Sequence, residues 1–213
     1  MPERPRFSFA SVVHDPEVAA EHLVPSLDGL TEPVQRLLLL NEDNGLTTNL
    51  ASLYNLLLRI DGPPLRAFLH PDVSFDPDFV TRLAAGVETI EAGGAPWGAI
   101  GIVGRAWDGG EYVWCYEIDS PQPVCTLDCC FMLTRRDLGL EFDARRFDQF
   151  HCFVEDYCMQ CHEAEYGVWV VPAVATHAGA TFRELGSRWG GYDRYRKRLD
   201  RKWRRRFPGL TTV

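Results

Sequence analysis

The 213-residue sequence has no apolar run that approaches the ~18 residues required by a membrane-spanning helix. The apolar stretch Phe7 to Val13 is too short and too early for a secretory signal, so we expect a cytoplasmic protein. No glycine-rich phosphate loop follows this first predicted strand, which excludes GxGxxG and Walker-type nucleotide sites. Neither an internal repeat nor a low-complexity segment is visible, which argues against solenoids and disordered arrays.

Lysine is scarce, and the basic residues are unevenly distributed. The only lysines, Lys197 and Lys202, lie near the C-terminal end of the sequence. From Arg183 onward, 11 Lys and Arg residues face three acids, a net charge of +8. Since the whole chain has a formal net charge of -8, the preceding residues carry -16. An acidic body argues against a nucleic-acid coating protein, whereas the basic segment suits a local anionic partner.

Seven cysteines occur, an odd number, and all of them lie between Cys115 and Cys161. This distribution is not that of a secreted disulfide framework, so reduced thiols are the simpler interpretation. Cys158 and Cys161 form a CxxC beside His162, a spacing that zinc sites also use. Because no second pair has a similar spacing, we favour buried free thiols over structural zinc.

Strand-like and helix-like segments alternate in the N-terminal half. Short apolar runs predict strands at Phe7–Val13, Arg36–Leu40 and Leu65–Leu69. Helices are predicted over Leu50–Arg59 and from Asp76 or Asp78 to about Ala92. The later predicted elements are strands near Ala99–Val103, Tyr112–Glu117, Leu127–Thr134, Val168–Val171 and Ala173–Thr176, and a helix at about Val154–Glu165. This alternation favours an α/β sandwich with a mostly parallel sheet.

Acids and histidines are concentrated where the predicted strands end. In doubly wound sheets the ligand lies outside the carboxyl ends of the strands. The polar residues at these positions are His14, Asp15, Asn41, Glu42, Asp43, His70, Asp72 and Asp128. Hard cations take carboxylate oxygens and borderline cations accept imidazole, so this composition indicates a divalent-metal or sugar site. Acids at strand ends also commonly cap the next helix, which is the structural alternative for each of them.

Four sequence blocks follow one another in an order typical of one enzyme family. They are LRAFLHPDVSFDPDF from Leu65, TLDCCFMLTRR from Thr126, the segment from Phe142 to Gln160, and VWVVPAVATHAGAT from Val168. Together they resemble the inverting family 2-like glycosyltransferases with a GT-A fold, most closely the streptomycin-biosynthesis-type branch. The pair Lys202-Trp203, followed by Pro208, is also similar to the end of that branch.

The resemblance implies a GT-A-like three-layer sandwich with a central, mostly parallel sheet in residues 1–182, followed by a basic helical tail in residues 183–213. It implies transfer of a sugar, with inversion, from a nucleotide-diphosphate donor to a carbohydrate or other hydroxyl acceptor. A divalent metal, Mn or Mg, would offset the negative charge of the leaving nucleoside diphosphate. The alternative is a GT-A-like sugar-binding or interaction module that has lost catalysis.

The resemblance also assigns roles to individual residues. Asp72 matches the last Asp of the family's DxD motif, and His177 matches the late histidine, so both are expected to bind the metal. We expect Asp72 to be an exposed acid at the end of its strand. The expected donor-binding residues are Asp15, Asn41, Asp43, Asn55, His70 and Asp72, and Asp128 is expected on the acceptor side.

The catalytic base is not fixed by the resemblance. In register with the family, the base falls at Val154, and the acidic pair Glu155-Asp156 is shifted along the predicted helix. Glu155, Asp156 and His151 therefore remain alternative candidates. Cys129 also departs from the family, because a glycine usually follows the residue that matches Asp128.

An apolar stripe marks the basic tail. Its members recur at spacings of three and four, which predicts one face of a helix: Tyr192, Tyr195, Leu199, Trp203 and Phe207. The stripe either packs on the acidic body or lies on an anionic membrane surface, where basic residues contribute roughly 1 kcal/mol each. We favour packing on the body, since an acidic body would be repelled by the same lipids.

Overall fold

The computed structural model describes residues 5–41, 49–178 and 191–212. Its strands within these ranges are β1 Phe7–Val13, β2 Gln35–Leu40, β3 Leu65–Leu69, β4 Val73–Phe75, β5 Trp97–Gly101, β6 Val103–Arg105, β7 Tyr112–Trp114, β8 Gln122–Pro123, β9 Thr126–Leu127, β10 Phe131–Arg135, β11 Gly167–Val170 and β12 Ala175–His177. The helices are α1 Pro16–Glu21, α2 Leu23–Asp28, α3 Leu50–Arg59, α4 Phe79–Ala92, α5 Phe153–Glu163 and α6 Tyr192–Trp203, with a short 3₁₀ turn at Arg136–Leu138.

A seven-stranded sheet with the order β2-β1-β3-β10-β5-β11-β8 forms the centre of the molecule. The parallel and antiparallel pairings place five strands in one direction, with β10 and β8 running the opposite way. All residues of β1, β3 and β5 are buried, as expected for strands that are covered on both faces. The prediction of a mostly parallel central sheet is confirmed.

Aromatic contacts show that helices cover both faces of this sheet. On one face, Phe9 of β1 meets Phe79 of α4 with ring centroids 6.2 Å apart. On the other face, Phe68 of β3 stacks on Tyr54 of α3 at 4.7 Å, and Tyr54 meets Phe153 of α5 at 5.5 Å. Phe9 and Phe68 lie one register position apart on neighbouring strands, so they point to opposite faces. The predicted three-layer sandwich is confirmed.

The prediction of one continuous strand over Leu127–Thr134 is wrong. The chain leaves β9 at Asp128, whose Oδ1 accepts a 2.7 Å hydrogen bond from the backbone N–H of Cys130, and it re-enters extended structure at β10. β9 pairs with β6 in a separate three-stranded sheet, whereas β10 lies between β3 and β5 in the central sheet. This break brings residues 128–130 next to the end of β3, where the His70 N–H donates to the Cys130 carbonyl at 3.0 Å.

Two helices follow β1 in a segment for which the sequence predicted no element. Asp15 caps α1, since its Oδ1 accepts from the N–H groups of Glu17 at 2.9 Å and Val18 at 3.2 Å. Pro16 occupies the first turn, where a missing N–H has no cost. Each helix has six residues, which is too short for an apolar periodicity to be recognised.

The tail helix α6 packs on the body through its apolar stripe. Tyr195, Leu199 and Trp203 are 1%, 0% and 4% exposed, and Tyr192 and Phe207 are partly buried against the core. The prediction that the stripe packs on the body is therefore confirmed for these residues. In the described ranges, none of the helices has the length and apolar character needed to cross a bilayer.

A buried acid on α5 binds polar side-chain groups near the C-terminal end of this tail helix. Asp156 is completely buried, and its Oδ1 lies 2.8 Å from Nζ of Lys202 and accepts a 2.6 Å hydrogen bond from Nε1 of Trp203. Gln160 donates to its Oδ2 at 3.0 Å, and Lys202 also reaches Asp143 at 2.9 Å. Burial raises the pKa of Asp156, although the Lys202 ammonium opposes this effect. The Lys202-Trp203 pair thus anchors α6 to α5.

Removal of the Lys202 ammonium should leave Asp156 as a buried carboxylate without its cation. We expect Lys202→Ala to lower the free energy of unfolding by about 3 kcal/mol, a typical cost of breaking a buried ion pair from one side. The matched control is Lys197→Ala, at an exposed position of the same helix, where we expect a change within about 0.5 kcal/mol. Equal urea denaturation midpoints for the two variants would contradict the anchoring role of Lys202.

Candidate functional site

Polar residues meet at the edge of the central sheet where its parallel strands end. His70 and Asp72 directly follow β3, and Asp128 to Cys130 precede β10. Because β10 runs antiparallel to β3, with Phe131 opposite Leu69, the start of β10 lies at the same edge as the end of β3. This is the edge at which open α/β sheets bind their ligands.

A two-stranded ribbon carries a histidine from the C-terminal half of the chain to this edge. β12 pairs antiparallel with β4, with His177 opposite Val73, and the Ala178 N–H donates to the Asp72 carbonyl at 3.0 Å. Nε2 of His177 lies 3.1 Å from Oδ1 of Asp72 and 3.4 Å from Nδ1 of His70. His70 Nδ1 is 4.0 Å from the same Asp72 oxygen. The structure therefore brings together the two residues expected to bind metal, with His70 beside them.

Asp72 is buried, which corrects the expectation that it is exposed at the end of its strand. It is 1% exposed because the β4–β12 ribbon covers it, and within the described part of the chain its Oδ2 has no hydrogen-bond partner. Burial opposes ionisation of Asp72, but the hydrogen bond and charge of His177 lower its pKa to about 2. Buried polar atoms are normally satisfied, so this oxygen is an acceptor suited to a cation or a hydrogen-bond donor. The residues fit a divalent metal.

The two imidazoles of the centre differ in their electrostatic environment. Burial, together with the nearby His177, lowers the pKa of His70 to about 4. Burial would also lower the pKa of His177, but the hydrogen bond to Asp72 and the charge of Asp72 raise it. A neutral imidazole is the form that coordinates a cation, and His70 is held in that form.

A thiol lies at the same edge, and the sequence analysis did not single it out. The ligand atoms of Asp128, Cys130 and His177 lie within 4.8 Å of one another, as do those of His70, Asp72 and His177. Burial raises the pKa of the Cys130 thiol well above its usual range, and the negative charge of Asp128 adds to this effect. The only sequence signal was the position of Cys130 two residues after a strand-end acid.

The three candidates for the base occupy different surroundings. Glu155 lies in the first turn of α5 and is 6% exposed, whereas Asp156 is turned toward Lys202 and Trp203 of α6. The imidazole of His151 is 5.7 Å from the Tyr192 ring, in the segment before α5. Val154, where the family places its base, is fully buried.

Glu155 is the candidate whose ionisation is most affected by the site. Burial raises its pKa to about 8, repulsion from Asp128 and Asp156 adds to the effect, and a hydrogen bond with the Cys152 thiol opposes it. Cys152 precedes α5 with a φ of 61°, a left-handed conformation that non-glycine residues adopt at a cost in energy. The negative charge of Asp128 is felt at Glu155, which places the two acids near each other.

The expected donor-binding residues are only partly brought together. Asp15 and Asn41 follow neighbouring parallel strands, β1 and β2, and the Asn41 N–H donates to the Val13 carbonyl at 2.8 Å. Asn55 instead uses its amide on the backbone of Phe142, donating at 2.9 Å and accepting at 2.8 Å. Asp43 lies outside the described residues.

The raised pKa of Glu155 predicts a pH dependence of stability. Since its folded-state pKa is about 8 and its ordinary value is 4.5, the folded protein holds this proton more tightly than the unfolded chain does. The stability contributed by Glu155 is therefore fully present below 4.5 and is lost as the pH rises through about 8.

Glu155→Gln keeps the shape of the neutral acid and should remove this loss. We expect the variant to have a higher melting temperature than the wild type at about pH 9 and a similar one at about pH 4. Glu117→Gln, at an exposed position, is the control and should follow the wild type at both pH values. A constant difference between Glu155→Gln and wild type across the pH range would contradict the assignment.

Comparison with known proteins places the fold but not the family. No family model and no curated protein matches the chain. TarS 1-349 from S. aureus is 13% identical with a TM-score of 0.55, over 79% of this chain and 58% of TarS. The complex of TarS 1-349 with UDP-GlcNAc is 12% identical with a TM-score of 0.55, over 79% of this chain and 56% of TarS. The mannosyltransferase PcManGT from Pyrobaculum calidifontis, in complex with GDP-Man and Mn²⁺, is 14% identical with a TM-score of 0.55. The match covers 92% of this chain and 61% of PcManGT.

These similarities show that the chain has a GT-A-like fold. The chain spans about 58% of the length of the TarS fragment that it matches. The structural neighbours are glycosyltransferases, and they do not support the more specific streptomycin-type branch. At identities of 11–14%, the activity of a neighbour does not carry over with the fold.

Proposed function

We propose that the protein is a metal-dependent glycosyltransferase that moves a sugar from a nucleotide-diphosphate donor to a hydroxyl acceptor with inversion. The observation that carries the proposal is the centre at the strand-end edge of a GT-A-like fold. There, buried Asp72 lies between His70 and His177 with one carboxylate oxygen unsatisfied by any described residue. Inversion, the family 2-like assignment and the streptomycin-type branch rest on the four sequence blocks.

His70, Asp72 and His177 would hold the cation, which we propose to be Mn or Mg. When bound, it offsets the negative charge that develops on the leaving nucleoside diphosphate. The protein contributes a buried carboxylate, the His70 imidazole just after β3, and the His177 imidazole on the β4–β12 ribbon. Support for a divalent metal also comes from PcManGT, whose complex contains Mn²⁺.

We place Glu155 first among the candidates for the base. A carboxylate that acts on a hydroxyl needs a raised proton affinity and a position within hydrogen-bond reach of the acceptor. Burial of Glu155 supplies the first, and its proximity to Asp128, the proposed acceptor-side residue, supports the second. Asp156 follows, since Lys202 and Trp203 already occupy Oδ1 of its carboxylate, and His151 stays the third candidate.

The remaining assignments concern the donor and the compartment. Asp15, Asn41 and Asp43 are proposed to bind the donor's base at the ends of β1 and β2. Asn55 would support that region by fixing the Phe142 backbone. The seven cysteines are free thiols, which fits the reducing cytoplasm that we propose as the compartment.

A second candidate function is a GT-A-like sugar-binding or interaction module without catalysis. It is favoured by Val154, a buried apolar residue at the position where the resemblance places the base. The two candidates agree on donor binding and differ in whether the donor is consumed.

A ligand panel tests the proposal directly. UDP-, GDP- and dTDP-sugars are added to the full chain with and without Mn²⁺, and melting temperature and release of nucleoside diphosphate are measured. We expect one nucleotide sugar to stabilise the protein only with the metal, followed by slow donor hydrolysis or transfer. If no donor binds under any metal condition, the proposal is wrong. Stabilisation without donor consumption on any acceptor would instead favour the binding module.

A further inference from the structure

We infer that Asp128, Cys130 and His177 form a second, thiol-containing cation site of zinc type, which shares His177 with the proposed donor-metal group. The inference rests on the proposed function in one respect only, the competition between a cation at this site and the proposed donor metal. The site itself follows from the geometry, because the three ligand atoms lie within 4.8 Å of one another. A cation that contacts His177 there competes with one held by His70 and Asp72.

The donor set determines which cations fit. A thiolate and an imidazole select zinc-like ions, whereas Mg²⁺ and Mn²⁺ prefer oxygen ligands. Zinc sites with three protein ligands keep a fourth position open for water or another group. The two groups therefore overlap at one edge of the sheet, and among the described residues only the group with Cys130 offers a thiolate.

The local structure holds the thiol in place before a cation arrives. The Cys130 N–H is fixed by Oδ1 of Asp128 at 2.7 Å, and its carbonyl accepts from the His70 N–H at 3.0 Å. Cys130 is 1% exposed and is followed at once by the buried strand β10. When the metal–sulfur bond forms, the Cys130 thiol loses its proton to solvent, and the Asp128 carboxylate no longer accepts that S–H.

The other cysteines supply natural controls. Cys129 is adjacent and partly buried, yet its sulfur is not part of either ligand group within the described residues. Cys158 and Cys161 of the CxxC lie buried in α5, and they too are outside both groups in the described ranges. A metal–thiolate absorption band that is lost with Cys130 but not with the other cysteines therefore identifies this site.

Cobalt(II) is the probe, since thiolate-to-cobalt charge transfer absorbs in the near ultraviolet. We expect the full-length wild type and Cys129→Ser to show this band at one equivalent of cobalt, and zinc to abolish it. Cys130→Ser keeps the imidazole and carboxylate ligands of this edge but no thiolate, so it should bind cobalt without the band. His177→Ala, at an exposed position, should also lose the band and covers the case that Cys130→Ser does not fold.

A band that persists in Cys130→Ser or His177→Ala, or cobalt binding without the band in the wild type, overturns the inference. A second measurement separates it from the proposed function. Zinc should weaken Mn²⁺-dependent nucleotide-sugar binding at lower concentrations in the wild type and Cys129→Ser than in Cys130→Ser. If the cobalt band behaves as expected and no nucleotide sugar binds with Mn²⁺, the thiol site stands and the transferase proposal fails. Equal zinc sensitivity in all three proteins would refute the sharing of His177.

Discussion

Replacement of Glu155 by glutamine is expected to lower the turnover of sugar transfer by about 10²–10⁴-fold, the usual cost of removing a general base. Donor binding should survive, because Glu155 lies at the start of α5 and is not part of the His70–Asp72–His177 group. The measurement is kcat with a saturating donor and acceptor, together with donor affinity by calorimetry.

The matched control is Glu163→Gln, at the opposite end of the same helix, where the carboxylate pairs with Arg206 at the surface. It should leave turnover near the wild-type value. In the wild type, kcat/KM should rise with pH and level off near the pKa of Glu155, about 8, since the base acts in its ionised form. Near-normal turnover in Glu155→Gln would move the role to Asp156 or His151, for which Asp156→Asn and His151→Ala are the corresponding variants.

Replacement of Asp72 by asparagine is expected to weaken nucleotide-sugar binding in the presence of Mn²⁺ by at least about 100-fold. The amide keeps the shape of the carboxylate but removes the charge that a divalent cation needs. Binding measured without metal should change much less, which separates loss of the cation from general damage to the site. Calorimetry with and without Mn²⁺, and a melting curve to verify folding, provide the comparison.

Asp76→Asn is the control for this variant, because Asp76 is an exposed acid just beyond the same short strand, β4. It should bind the donor as the wild type does, with and without Mn²⁺. Equal metal-dependent affinities in Asp72→Asn and wild type would show that the buried carboxylate has another role.

The parts of the fold that the sequence predicted are those with a strong local pattern. The runs that became β1 and β3 are mostly apolar and fully buried because both faces are covered, and Leu50–Arg59 has the predicted bounds of α3. Asn49 caps this helix by accepting from the Ser52 N–H at 3.0 Å. Local patterns of this kind predict the strands of the central sheet and the order of elements along the chain.

The candidate site was less predictable because it depends on contacts between distant segments. His177 reaches Asp72 only through the pairing of β12 with β4, and each of these strands has three residues. The break at Asp128 depends on one side-chain hydrogen bond, which apolar periodicity does not record. Asp156, a candidate base from the sequence, is instead the residue that anchors α6. The sequence did not predict this role, because the partners of Asp156 in α6 lie more than 40 positions away along the chain.

The central position of β10 has a consequence for how the chain folds during synthesis. β1, β2 and β3 can pair once residue 69 has left the ribosome, but the open edge of β3 waits for β10, which ends at Arg135. At about 5–20 residues per second, that interval lasts roughly 3–13 s on the ribosome. During this time the hydrogen-bonding edge of an apolar strand can pair with another chain. The nascent protein is thus most prone to aggregation before its middle third has emerged, and slower initiation, which separates neighbouring ribosomes, should improve its yield.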